Sequence, residues 1–171
     1  MPMRVCAAPG AGIPIRVTAQ NAGYGPGSER WETAGGRARL AESMALTEAA
    51  TPTAIAALRH RVAEFATAHG AGARLAADVA LAVSEAATNA VKYAYPGTAR
   101  KGAVELAAQA GNGWLEVRVR DRGAGFDRGS SDGLGLGLSI MASLSAELTI
   151  VQEGEGTEVR MRFPLPRARL A

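Results

Sequence analysis

Apolar residues recur along this chain in two rhythms, and each predicts a different element. Ile55, Leu58, Val62, Phe65 and Ala66 fall at steps of three and four, which predicts an amphipathic helix from Thr51 to about His69. Thr51 suits its N-cap, Pro52 its first turn and Gly70 its stop. Leu75 to Tyr95 is alanine-rich and free of Gly and Pro, and Val79, Val83, Ala86, Ala90 and Ala94 form one stripe on a second helix. The rhythm then changes to two. Val104 and Leu106 alternate with Glu105, Gly111-Asn112-Gly113 marks a hairpin turn, and Leu115, Val117 and Val119 alternate with Trp114, Glu116, Arg118 and Arg120. A short helix over Leu138–Leu144 and two strands, Glu147–Glu153 and Thr157–Leu165, complete the series, the last with Val159, Met161 and Phe163 facing inward. Gly154-Glu155-Gly156 turns between those strands, and Leu40–Thr47 offers an edge strand ahead of the first helix. The order β-α-α-β-β-α-β-β predicts an α+β fold, with helices layered on a largely antiparallel sheet.

Composition limits what this pattern can build. At 171 residues the chain fits one domain. Hydrophobic residues make up 47% and aromatics only 5%, so the core must be assembled from Ala, Val, Leu and Ile with close helix–sheet contact. Residues 1–38 have no period and carry many of the glycines, and the stretch reads either as a mobile tail or as sequence ahead of the true start. A short strand is offered within it at Ile13–Val17. The folded domain is expected over 39–166, with 167–171 as a C-terminal tail. Cys6 is the only cysteine, which excludes an internal disulfide and a cysteine-based zinc site. A net charge of +3 without a basic block gives no reason to expect direct nucleic-acid binding. There is no apolar run long enough for a membrane span and no signal-peptide core, so a cytoplasmic location is expected.

Three features carry candidate chemistry. Glu85 and Asn89 stand one turn apart on the second helix, beside its apolar stripe, and read either as a solvated pair or as ligands for a metal or a nucleotide. Asp121 has the parity of the apolar face of its strand, where a carboxylate is costly unless something donates to it. Asp121-x-Gly123-x-Gly125 and Gly133-x-Gly135-x-Gly137 are glycine-rich; neither is a Walker loop or a dinucleotide fingerprint, since no Gly-Lys-Ser/Thr and no parallel βαβ unit accompanies them. His60 and His69 suit surface or capping roles.

Together, and in this order, these features resemble the GHKL ATP-binding fold of gyrase, Hsp90, MutL and histidine kinases. Ser84-Glu85-Ala86-Ala87-Thr88-Asn89-Ala90-Val91 resembles its N-box, Asp121-Arg122-Gly123-Ala124-Gly125-Phe126 its G1 box, Gly133 to Gly137 its G2 box, and Gly156-Thr157-Glu158-Val159 its last strand. The resemblance covers roughly residues 40–165 and implies a GHKL/Bergerat two-layer sandwich on a mixed, largely antiparallel sheet. The Ser-Glu-Ala-x-Thr-Asn-Ala-Val core followed by Ala94-Tyr95-Pro96-Gly97 is most similar to the bacterial anti-sigma-factor serine/threonine kinases, the RsbW/SpoIIAB-like branch. His60 lies in Arg59-His60-Arg61-Val62, unlike a phosphoacceptor motif.

That resemblance implies ATP and Mg²⁺ as ligands. Asp121 would accept the adenine amino group, with Gly123, Gly125 and Phe126 beside the base and sugar. Gly133, Leu134, Gly135, Leu136 and Gly137 would present backbone N–H groups to the phosphates. Asn89 would ligate Mg²⁺ and Glu85 would act as general base. Lys92, Tyr93 and Thr157 would line the nucleotide site, and Arg59 would face a partner. The implied function is a serine kinase that sequesters a sigma factor and phosphorylates a STAS-type anti-anti-sigma protein, acting as a homodimer. A nucleotide-binding regulatory module without kinase activity, or a plain GHKL ATPase, are the alternatives. Two departures bear on them. Tyr93 stands where the family commonly has His, and only six residues, Arg128 among them, separate Phe126 from Gly133 in the lid.

Overall fold

The computed structural model describes residues 15–18 by backbone alone, and residues 42–95, 102–123, 134–152 and 156–166. Six strands and three helices follow in chain order: β1 (Ile15–Thr18), β2 (Glu42–Ala49), α1 (Pro52–Ala68), α2 (Ala73–Tyr93), β3 (Ala103–Gly111), β4 (Trp114–Asp121), α3 (Leu134–Leu144), β5 (Glu147–Gln152) and β6 (Thr157–Pro164). The strands form one sheet in the order β1-β5-β6-β4-β3-β2, and every described pairing is antiparallel. This is the expected α+β arrangement. β1 lies within the stretch read as a tail, close to the short strand expected at 13–17, and pairs with β5.

Local chemistry explains the elements. Thr51 caps α1, its Oγ1 accepting from the Ala54 N–H at 3.3 Å, and Gly70 leaves the helix at a φ of 92°. His69, at the C-cap, has Nδ1 2.7 Å from the Phe65 carbonyl and Nε2 3.0 Å from the Glu42 carboxylate, which ties the helix end to the edge strand. The β3–β4 hairpin turns through Asn112 and Gly113, both at positive φ, a type I′ turn that matches strand twist. Two elements are shifted from expectation by two residues at each end: β2 runs Glu42–Ala49 instead of Leu40–Thr47, and α2 runs Ala73–Tyr93 instead of Leu75–Tyr95.

The core lies between the helices and one face of the sheet. Val104, Leu106, Leu115, Val117, Val119, Leu148, Met161 and Phe163 point inward to meet Leu58 and Val62 of α1 and Val79, Val83, Ala86 and Ala90 of α2. Burying each Leu or Val contributes about 1.5–3 kcal/mol, and the alanines of α2 let its backbone come close to the strands. α2 also packs against both other helices. The opposite face of the sheet is charged: Arg122 pairs with Glu105, Arg118 with Glu116, and Arg162 with Glu147 while lying 4.5 Å over the Trp114 ring. Pairs near the surface such as Arg122–Glu105 and Arg118–Glu116 add about 0–1 kcal/mol each. Among the described residues no helix is long and apolar enough to cross a membrane.

Candidate functional site

The site is built from the C-terminal half of α2, the start of α3 and the end of β4. On α2, Glu85 and Asn89 are half-buried, one turn apart, flanking the stripe that holds the helix to the sheet. Opposite them is Gly137. A Cβ added there would lie 3.0 Å from Glu85 Oε2, 3.7 Å from Asn89 Nδ2 and 3.9 Å from Asn89 Oδ1. The glycine therefore lets α3 rest directly beside the carboxylate–carboxamide pair, a spacing that a side chain would widen.

The sequence places a loop up to Gly137 and a helix from Leu138; the structure begins α3 at Leu134. Two glycines in a first turn cost helix stability, and the burial of Met141 and Ala142 further along offsets it. The consequence is chemical. The N–H groups of a helix's first turn have no partner within it, so those of Leu134, Gly135 and Leu136 form the positive end of α3. Leu136 is 73% exposed at this end.

Asp121 closes β4 with its side chain on the core face and only 7% exposed, as its parity predicts. Its Oδ1 accepts the Gly123 N–H at 3.0 Å, and Thr157, its partner in the β4–β6 register, donates a second backbone bond. Burial pushes the carboxyl above its ordinary range, and the bonds from Gly123 and Thr157 and the nearby Arg120 charge pull only part of the way back. Among the described residues no buried side-chain nitrogen or oxygen lacks a partner. Gly123 packs so closely on α2 that a Cβ would collide with the Ala94 carbonyl. The last turn of α2 and the exit of β4 are thus in contact, which joins the two halves of the site.

The remaining expected site residues are distributed as follows. Lys92 is exposed in the last turn of α2, and Tyr93 beside it is 37% exposed. Thr157 starts β6 next to Asp121, and Arg59 is exposed on α1. Gly125, Phe126, Arg128 and Gly133 lie outside the described residues, and Leu134 and Gly135 are placed by their backbone. The residues that sequence reasoning left without a role are Tyr95 and Gly102. Tyr95 Oη bonds backbone groups of Ala103 and Arg122, and Gly102 carries its ring where a Cβ would collide with it. One signal was available: in a chain with 5% aromatics, a tyrosine directly after the central helix is conspicuous.

The donor set suits Mg²⁺ held with a nucleotide. Glu85 and Asn89 offer hard oxygens, and no cluster of three His, Cys, Asp or Glu that could hold a metal alone occurs among the described residues. Mg²⁺ commonly takes one or two protein oxygens and completes its shell with phosphates and water.

Residues 49–163 match the histidine kinase-like ATPase domain. Among solved structures, the RsbU and RsbW domains of Rv1364c from Mycobacterium tuberculosis are similar at 28% identity and a TM-score of 0.60, over 74% of this chain and 33% of that one. The histidine kinase domain of the blue-light activated histidine kinase EL346 from Erythrobacter litoralis is similar at 28% identity and a TM-score of 0.49, over 65% of this chain and 61% of that one. The match thus spans a third of the length of that mycobacterial chain of RsbU and RsbW domains. No curated protein matches it. With the match covering most of the folded residues and the glycine-bearing helix set against Glu85 and Asn89, the chain belongs to the histidine kinase-like ATPase domain family.

Proposed function

We propose that the protein is an ATP-dependent serine/threonine kinase and anti-sigma factor, which sequesters a sigma factor and phosphorylates a STAS-domain anti-anti-sigma protein on serine. The observation that carries the kinase reading is Gly137 against Glu85 and Asn89: a carboxylate, a hard oxygen ligand and the positive end of a helix meet at one point. Similarity to a structure containing an RsbW domain supports the regulatory half of the reading. In this scheme Asp121 accepts the adenine amino group, and the first-turn N–H groups of α3 hold phosphate oxygens. Asn89 would hold Mg²⁺ through its side-chain oxygen, and the ion would supply positive charge beside the phosphates. Glu85 takes the proton of the serine hydroxyl as its oxygen bonds to the γ-phosphorus and the bond to the β–γ bridging oxygen breaks, releasing ADP. Lys92 and Tyr93 sit at the rim, Arg59 faces a partner, and the active form is a cytoplasmic homodimer.

The experiment is incubation with Mg-ATP and candidate STAS proteins, read by intact mass. A gain of one phosphate on a serine is expected, and Glu85→Ala is expected to abolish it while ATP binding persists. ATP binding without transfer to any candidate would overturn the kinase reading. Tyr93 and the six-residue lid favour a second reading, a nucleotide-dependent binding module. That reading gains if Glu85→Ala still regulates the sigma factor as the wild type does.

A further inference from the structure

The end of α2 is pinned to the sheet by one hydroxyl. Tyr95 Oη donates to the Ala103 carbonyl at 2.8 Å and accepts from the N–H groups of Ala103 at 3.2 Å and Arg122 at 3.1 Å. The β3–β4 ladder runs to the pair Val104–Asp121, so Ala103 and Arg122 would form the next rung. The hydroxyl stands in that rung's place and takes both of its N–H groups. The strand ends at Asp121, and Arg122 is not paired with β3. The next N–H, that of Gly123, turns back to the Asp121 carboxylate, and Gly123 comes to rest on the Ala94 carbonyl. Gly102 is required to be small because the tyrosine ring covers it.

We infer that the Tyr95 hydroxyl is a positioning group for the base-binding end of the nucleotide site, acting through the Arg122–Gly123 turn on the orientation of Asp121. This rests on the reading of Asp121 as the adenine acceptor. The three bonds run to β3 and β4, whereas Glu85, Asn89 and Gly137 are set by the packing of α2 on α3. Loss of the hydroxyl should therefore weaken recognition of the base and spare that of the triphosphate.

The test measures binding of Mg-ATP, Mg-GTP and Mg-tripolyphosphate to the full chain by titration calorimetry, for wild type and Tyr95→Phe. The phenylalanine keeps the ring on Gly102 and removes only the hydroxyl. Mg-ATP should bind on the order of tenfold more weakly, with a reduced preference for ATP over GTP, while tripolyphosphate affinity stays within about twofold. Gly102→Ala, which displaces the ring with every polar group retained, should give the same pattern. Parallel weakening of all three ligands, or loss of the folded circular-dichroism spectrum in both variants, would make Tyr95 a purely structural residue and overturn the inference. Unchanged ATP affinity in a wild type that binds ATP would overturn it alone. A wild type that binds no ATP would overturn the nucleotide reading as well.

Discussion

Asp121 is a buried carboxylate on a face otherwise made of Leu115, Val117 and Val119, and two backbone N–H groups only partly offset its desolvation. Its carboxyl is raised above 3.8 in the folded chain, so it holds a proton more tightly folded than unfolded. The sign follows. Its contribution to stability is fully present below the unfolded pKa and is lost as pH rises through the folded one. The difference in melting temperature, Asp121→Asn minus wild type, is therefore expected to grow as pH rises above 3.8. Melting curves at several pH values check this, and a difference that shrinks with rising pH would contradict it. The residue was legible from alternation alone, because a strand period fixes the face of every position. What alternation could not supply was its partners, since the Gly123 bond depends on a turn and the Thr157 bond on strand order.

At the scale of elements, α3 is where local propensity and tertiary demand disagree. Gly133 to Gly137 argues for a loop, and a reading by propensity starts the helix at Leu138. The structure winds Leu134–Leu144 instead, with Met141 and Ala142 buried and Gly137 set close to α2. Propensity loses because α3 packs against Glu85 and Asn89, and the absence of a Cβ at Gly137 lets it rest this close without displacing the carboxylate. Gly137→Ala separates the two demands. Alanine should favour the helix by up to about 1 kcal/mol. Yet its methyl would press on the Glu85 carboxylate at 3.0 Å, a flexible group that can move aside. The expected outcome is a melting temperature equal to or above that of the wild type, with Mg-ATP binding weakened several-fold. Lowered stability with intact binding would show that the glycine serves packing instead of the site. By contrast α1 was fully legible, because Thr51, Pro52 and Gly70 are local signals that act without help from the rest of the chain.

At the scale of the whole molecule, the element series was legible, β2 as an edge strand and a short strand near β1 included, but the order of the strands in the sheet was not. A period of two identifies strands without saying which neighbour each one takes, and four residues in a glycine-rich stretch are too few to establish a period. The structure sets β1 against β5, with Ile15 opposite Ile150 and Val17 opposite Leu148. The family match begins at residue 49, so both edge strands, β1 entirely and β2 up to its last residue, lie outside the matched span. β1 thus adds an outer strand to a sheet whose matched part ends at β5. A chain beginning at Arg39 keeps the core between α2 and β3, β4 and β6 but leaves one side of β5 unpaired. An exposed edge both loses hydrogen bonds and offers a template for association. The truncated protein is expected to keep its folded circular-dichroism spectrum, to melt a few degrees lower, and to self-associate in a concentration-dependent way beyond the full chain. Melting and sedimentation at matched concentrations check both effects. If the two proteins melt together and sediment alike, β1 contributes nothing to stability, and residues 1–38 are a tail in the thermodynamic sense despite the strand they contain.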